Sequence, residues 1–267
     1  MHEILDFHNP LLAHWHITEI GAGEVTQSDG DLVLRLPAQD KSGYHDAQLT
    51  DFSRRQDFRW QAPLRMEVTA YCSVPKVAAP NYPLVGTAGF GFWNHPYGLA
   101  GDRSPRLPKA VWFFFSAPPS HMQLAQGISG SGWKAATIDT TRWQFLALAP
   151  TAPIGVLLMR HPAVYRRLWP IGQRAIGVSE KLLDARLLLE RHTYRLDWLH
   201  DKMRFAVDGV TVHEASVPIG GVMGFIAWID NQYAIVTPQG QFGAGVVAMQ
   251  QSQSLILERV EISEGVF

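Results

Sequence analysis

The chain has 267 residues, 46% of them hydrophobic, which is ample material for a buried core and excludes intrinsic disorder. Its 23 basic and 24 acidic residues leave a formal net charge of −1. No long basic run occurs, so no nucleic-acid partner is expected.

The first seventeen residues, MHEILDFHNPLLAHWHI, lack the basic segment followed by an apolar one that marks a secretory signal. The expected location is cytoplasmic, although a mature chain whose signal had been removed would read the same. No stretch reaches the length of a membrane span, so no membrane partner is expected either. A hydrophobic strand or turn is predicted around Trp15, within Leu11–Ile20. Asp31–Leu36 reads as a strand between Gly30 and Pro37, and Tyr44–Leu49 as another. Pro63–Val74 alternates, with Leu64, Met66, Val68 and Ala70 on one face and Arg65, Glu67 and Thr69 on the other. It contains Cys72, the single cysteine, which excludes an internal disulfide and reads as an inert strand residue.

In Gly86–Asn94, GTAGFGFWN, glycines interleave with Phe90, Phe92 and Trp93, which suits a bent strand with something lying close above it. Lys109–Ser116, KAVWFFFS, is apolar on both faces, as a central strand covered on two sides would be. Met122–Ala125, Trp133–Ile138 and Trp143–Leu148 are further short strand candidates. Residues 152–189 fit helical spacing better, with Pro162 and Pro170 dividing the segment. It reads as a helical insertion packed on the convex side of a sheet, with a lid or a dimer face as alternatives.

Arg191–Glu214 predicts a three-stranded meander. Tyr194, Leu196 and Trp198 alternate with polar residues, His200–Lys202 turn the chain, and Met203, Phe205 and Val207 repeat the pattern. Asp208-Gly209 is a two-residue hairpin signal, because a type I′ turn needs positive φ at both central positions. Gly224–Val236 reads as one long strand and Leu255–Ile262 as the closing one. About a dozen short strands separated by turn signals predict an all-β, two-sheet sandwich forming a single domain over 1–267.

The meander also resembles a known hairpin. His192-Thr193-Tyr194, Trp198 and then Phe205-Ala206-Val207-Asp208-Gly209 are similar to the corresponding stretch of the concanavalin A-like sandwiches, particularly family 16 glycoside hydrolases. The resemblance implies a jelly-roll scaffold with a concave cleft, and terminal strands that often pair. It also implies where catalytic acids would stand. In that family a strand reading E-x-D-x-x-E follows an aromatic strand, and a retaining mechanism needs two carboxyls about 5–5.5 Å apart. Here GTAGFGFWN stands for the aromatic strand, and the following strand carries Val111, Trp112, Phe113, Phe114 and Phe115 in place of acids. No E-x-D-x-x-E occurs anywhere in the chain. Hydrolysis by the family mechanism is therefore not expected.

The candidate ligand-binding residues are Trp93, Asn94, Trp112, Trp228, Gln232 and Asp46. Aromatic faces stack on the C–H faces of sugars while amides and carboxylates bond hydroxyls, and the same groups suit other amphipathic small molecules. The candidate acid/base residues are Asp230, an acid on an apolar strand, with His45 or His95. No metal site and no cofactor are predicted, since His14 and His16 lack a third ligand at recognisable spacing and no P-loop, dinucleotide or G-x-S-x-G motif is present. Some relatives of this fold hold a structural calcium ion, and the sequence leaves that open, as it does the oligomeric state. The leading expectation is a non-hydrolytic, glucanase-like protein binding a saccharide or similar small ligand. An intracellular isomerase or cyclase using an Asp/His pair in an apolar cavity is the alternative. A divergent hydrolase with carboxylates such as Asp46 and Asp230 arranged anew is the third reading.

Overall fold

The computed structural model describes residues 1–39, 43–53, 57–75, 82–94 and 107–265. The N-terminal part contains β1 (His2–Leu5), β2 (His16–Ile20), β3 (Glu24–Ser28), β4 (Asp31–Leu36) and β5 (Asp46–Thr50). Next come β6 (Leu64–Ser73), β7 (Thr87–Trp93), β8 (Lys109–Ser116), β9 (His121–Met122) and β10 (Gly132–Asp139). Three helices follow, α1 (Trp143–Leu148), α2 (Ala152–Leu158) and α3 (Pro162–Ala175), then β11 (Ser179–Leu183). The meander supplies β12 (His192–Trp198), β13 (Met203–Val207) and β14 (Val210–Ala215). The C-terminal part holds β15 (Gly224–Asp230), β16 (Gln232–Val236), β17 (Phe242–Val246) and β18 (Gln253–Glu264).

These strands make the expected two-sheet sandwich. One antiparallel sheet has the order β14-β13-β12-β6-β18-β4-β3, with β1 also paired to β18. The other, seven-stranded, has the order β11-β10-β8-β7-β15-β5-β2. The chain ends meet as the resemblance implied, His2 opposite Ser263. The predicted hairpin turn also forms, with φ of 47° at Asp208 and 80° at Gly209.

Alternation along each strand builds the core. Phe90, Phe113, Trp133 and Phe225 point inward from the seven-stranded sheet, against Tyr194, Trp198 and Phe205 from the other. The rings interlock across the gap, with Phe90 5.2 Å from Tyr194 and Phe113 5.3 Å from Phe205, mostly edge to face. Polar tips still find partners: Tyr194 Oη donates to Leu187 O and Trp198 Nε1 to Ile219 O.

Three sequence expectations are corrected. Trp143–Leu148 is helix α1, not a strand, because only Phe145 packs on the protein while Trp143 and Leu146, three apart, face out together. The helices therefore span 143–175, and 179–183 returns to the sheet as edge strand β11. Pro170 does not divide the insertion. It sits inside α3, and the Arg166 carbonyl that it leaves without a helical donor accepts instead from Gln126 Nε2 at 3.3 Å. The long strand 224–236 is broken at Asn231, beyond which the chain leaves the seven-stranded sheet and joins β9 and β17 in a small third sheet. Asn231 anchors that junction: its Oδ1 accepts from His45 N, and its Nδ2 donates to Gly43 O and Val247 O.

The insertion packs on the seven-stranded sheet's outer face, at its β10 end. There Ile138 meets Leu124, Phe145, Trp169 and Ile176, and Trp169 Nε1 donates to Leu124 O.

Candidate functional site

The outer face of β7, β8 and β15 carries an aromatic shelf. Trp93, Trp112, Phe114 and Trp228 all point away from the core, because Phe92, Phe113 and Ala227 alternate with them inward. Trp112 stacks on Phe114 at 5.3 Å and lies 5.2 Å from Trp228 and 6.0 Å from Trp93. Glycine makes this possible. On β7, Gly89 lies between Trp228 and Phe114 in register, and Gly91 between Ile226 and Trp112. A Cβ at Gly89 would stand 2.9 Å from the Trp228 ring and 2.3 Å from Phe113 O, and one at Gly91 2.6 Å from Trp112 Cβ. The rings lie in the space those side chains would fill, as the glycine-aromatic alternation predicted.

A pair of acids adjoins the shelf. Asp46 and Asp230 are directly opposed on β5 and β15, which sets their Cβ atoms about 4.5–5.5 Å apart. They are 2% and 6% exposed. Asp230 Oδ1 accepts from Thr87 N, Thr87 Oγ1 and Gln232 N at 3.2, 2.8 and 3.1 Å. Burial nevertheless dominates and pushes its carboxyl up to about 6, the hydrogen bonds pulling the other way. Asp46 is raised well above the usual carboxylate range, by burial first and then by the charge of Asp230. The two carboxyls are thus unequal, and the charge of Asp230 makes Asp46 hold its proton the more tightly. The Tyr44 phenol lies in the same field and is held high by burial and by both acids.

Thr87 ties the acids to the shelf. Its hydroxyl donates to Asp230 and accepts from Trp228 Nε1 at 2.9 Å. Sequence reasoning missed Thr87, although counting back by twos from Trp93 through Gly91 and Gly89 lands on it. It missed Phe114 because KAVWFFFS has no period to separate its faces. Lys134 was also missed: 1% exposed, it lies on the same outer face and pairs with Glu180 at 3.1 Å.

The remaining candidates sit elsewhere or are otherwise engaged. Asn94 bridges Leu107 O and Lys109 N through its amide. Gln232 opens β16 and holds Asp230 through its backbone. His45 accepts at Nδ1 from Ala22 N at 3.0 Å, which leaves its hydrogen on Nε2, and its backbone clasps Asn231. His95 lies outside the described residues. Among the described residues no cluster of three metal-ligating side chains occurs.

No family model matches the chain, and no curated protein does. Solved structures do. A laminarinase from Flavobacterium sp. UMI-01 superposes with a TM-score of 0.51 at 13% identity, over 98% of this chain and 99% of that one. The fold is concanavalin A-like. A prokaryotic β-1,3-1,4-glucanase (lichenase) from a mouse hindgut metagenome gives 0.50 at 11% identity, with 99% of each chain covered. A structure described with endo-acting O-glycanases of the human gut microbiota gives 0.50 at 12%, covering 97% of each. At such identities the likeness is one of scaffold.

Proposed function

We propose that this concanavalin A-like protein binds a saccharide, or a small ligand of similar amphipathic character, across the aromatic shelf and does not cleave it by the two-carboxylate route of family 16. The observation that carries the reading is the continuous run of Trp93, Trp112, Phe114 and Trp228 on one outer face. Flat π-faces offer a platform for sugar C–H faces, and the adjoining carboxyls offer polar partners for hydroxyls. On β8 the residues turned to this face are Ala110, Trp112, Phe114 and Ser116, none of them able to transfer a proton to a glycosidic oxygen near neutral pH. The glucanase-type neighbours agree with a saccharide as ligand. Calorimetry with β-glucan oligosaccharides is expected to give binding that a Trp112→Ala variant loses about tenfold or more. Absence of heat with the intact protein at millimolar sugar would refute it.

A second reading is favoured by one observation, the opposed Asp46–Asp230 pair. Two adjacent buried carboxyls of unequal proton affinity are the parts of a general acid and a general base. Under that reading the protein is an acid–base enzyme, either an isomerase or cyclase on a ligand held by the shelf or a hydrolase with its acids placed anew. Incubation with β-glucans separates the cases. Reducing ends released by the intact protein, and not by Asp46→Asn or Asp230→Asn, would favour the hydrolase over the binder.

A further inference from the structure

Between Asp139 and Glu180 the chain contains no acidic residue and five arginines, Arg142, Arg160, Arg166, Arg167 and Arg174, although the whole chain is nearly neutral. No carboxylate pairs with any of the five among the described residues, and Arg160, Arg166, Arg167 and Arg174 are exposed. Arg167, Ile171 and Arg174 follow i, i+4, i+7 spacing and so share one side of α3. Alongside them, α1 and α2 bury none of their residues. Trp143 is 72% exposed, and Leu146, Ile154, Leu157 and Leu158 each at least 49%. α1 and α2 both pack on α3, and Val156 abuts the Gly240 turn leading to Phe242, itself 74% exposed. An apolar surface of this extent on a soluble protein marks a place of contact.

Its charge selects the occupant. A second copy meeting this face about a two-fold axis would bring the exposed, unneutralised arginines of one copy against those of the other. A bilayer bearing anionic headgroups meets both needs, since arginines sit among phosphates while Trp, Leu and Ile side chains enter the acyl boundary. We propose that the helical insertion is an interfacial anchor that lays the protein on an anionic lipid surface. The expectation of no membrane partner came from the lack of a spanning segment, and lying on a surface requires none.

The test is co-sedimentation of the full chain with vesicles of phosphatidylcholine alone, and of phosphatidylcholine with phosphatidylglycerol at about two to one. Binding is expected to the anionic vesicles only, and to weaken as salt is raised. Arg167→Gln with Arg174→Gln should lower the partition coefficient about twenty-five-fold, and Leu157→Ser about tenfold. These side chains are exposed, so unchanged thermal melting will show that the fold is kept. No binding, equal binding to both vesicle types, or variants that bind like the parent would overturn the proposal. So would a dimer in light scattering that Leu157→Ser abolishes, or an acidic protein ligand that competes the vesicles off.

Discussion

Replacing Asp230 with asparagine tests the electrostatics of the acid pair. The amide keeps an Oδ1 to accept the three bonds from Thr87 and Gln232, so geometry is preserved while the ionisable group is removed. In the parent, Asp230 ionises at about 6 when folded against an ordinary 3.8. Between those values the folded state holds a proton that the unfolded chain has released. Stability from this group is thus complete below pH 3.8 and declines as pH rises toward 6. A displacement of about 2 pH units corresponds to about 3 kcal/mol. Urea denaturation followed by tryptophan fluorescence, run from pH 4 to 8 on both proteins, measures it. The stability of Asp230→Asn minus that of the parent should climb by at least about 2 kcal/mol from pH 4 to neutral pH. Asp51, which burial pushes up to about 7, is common to both proteins and cancels, whereas Asp46, relieved of the Asp230 charge, is raised less in the variant and adds to the climb. A difference that stays flat, or falls as pH rises, would refute the account of a carboxyl raised by burial.

Gly89→Ala should cost about 1–3 kcal/mol in the same denaturation assay, because the new methyl meets backbone at Phe113 that has no rotamer to yield. Lys134→Met should cost about 3–5 kcal/mol by stranding the buried Glu180, and adding Glu180→Leu should restore most of it, as a double-mutant cycle would show. Trp60→Phe removes the indole donor that holds the buried Asp51 Oδ2, and a loss of about 1–3 kcal/mol on unfolding is expected.

Most of the sandwich was legible because strands buried on one face write their period into the sequence. Leu64 to Ala70 and Tyr194 to Trp198 are such cases, and Asp208-Gly209 fixed its turn through backbone sterics alone. What failed to read were segments without a contrast between faces. Trp143–Leu148 is apolar apart from Gln144, so period two and period 3.6 both fit it, and tertiary packing through Phe145 decided for helix. The break at Asn231 is a matter of long-range hydrogen bonds to Gly43, His45 and Val247, none of them nearby in sequence. The same limit governed the site. The individual residues Trp93, Trp112, Trp228, Asp46 and Asp230 could be picked by type, but pairing Asp46 with Asp230 required knowing that β5 lies beside β15 in register. Sequence alternation alone contains no such information.

Because Gly89 and Gly91 have already surrendered every side-chain atom, the floor beneath the four rings can be lowered no further and can be raised only by displacing them. Selection acting on this surface must therefore work from its margins, at Thr87, Ser116 and the opposed acids. Homologues that diverge in what they recognise should keep the bare strand and differ along that border.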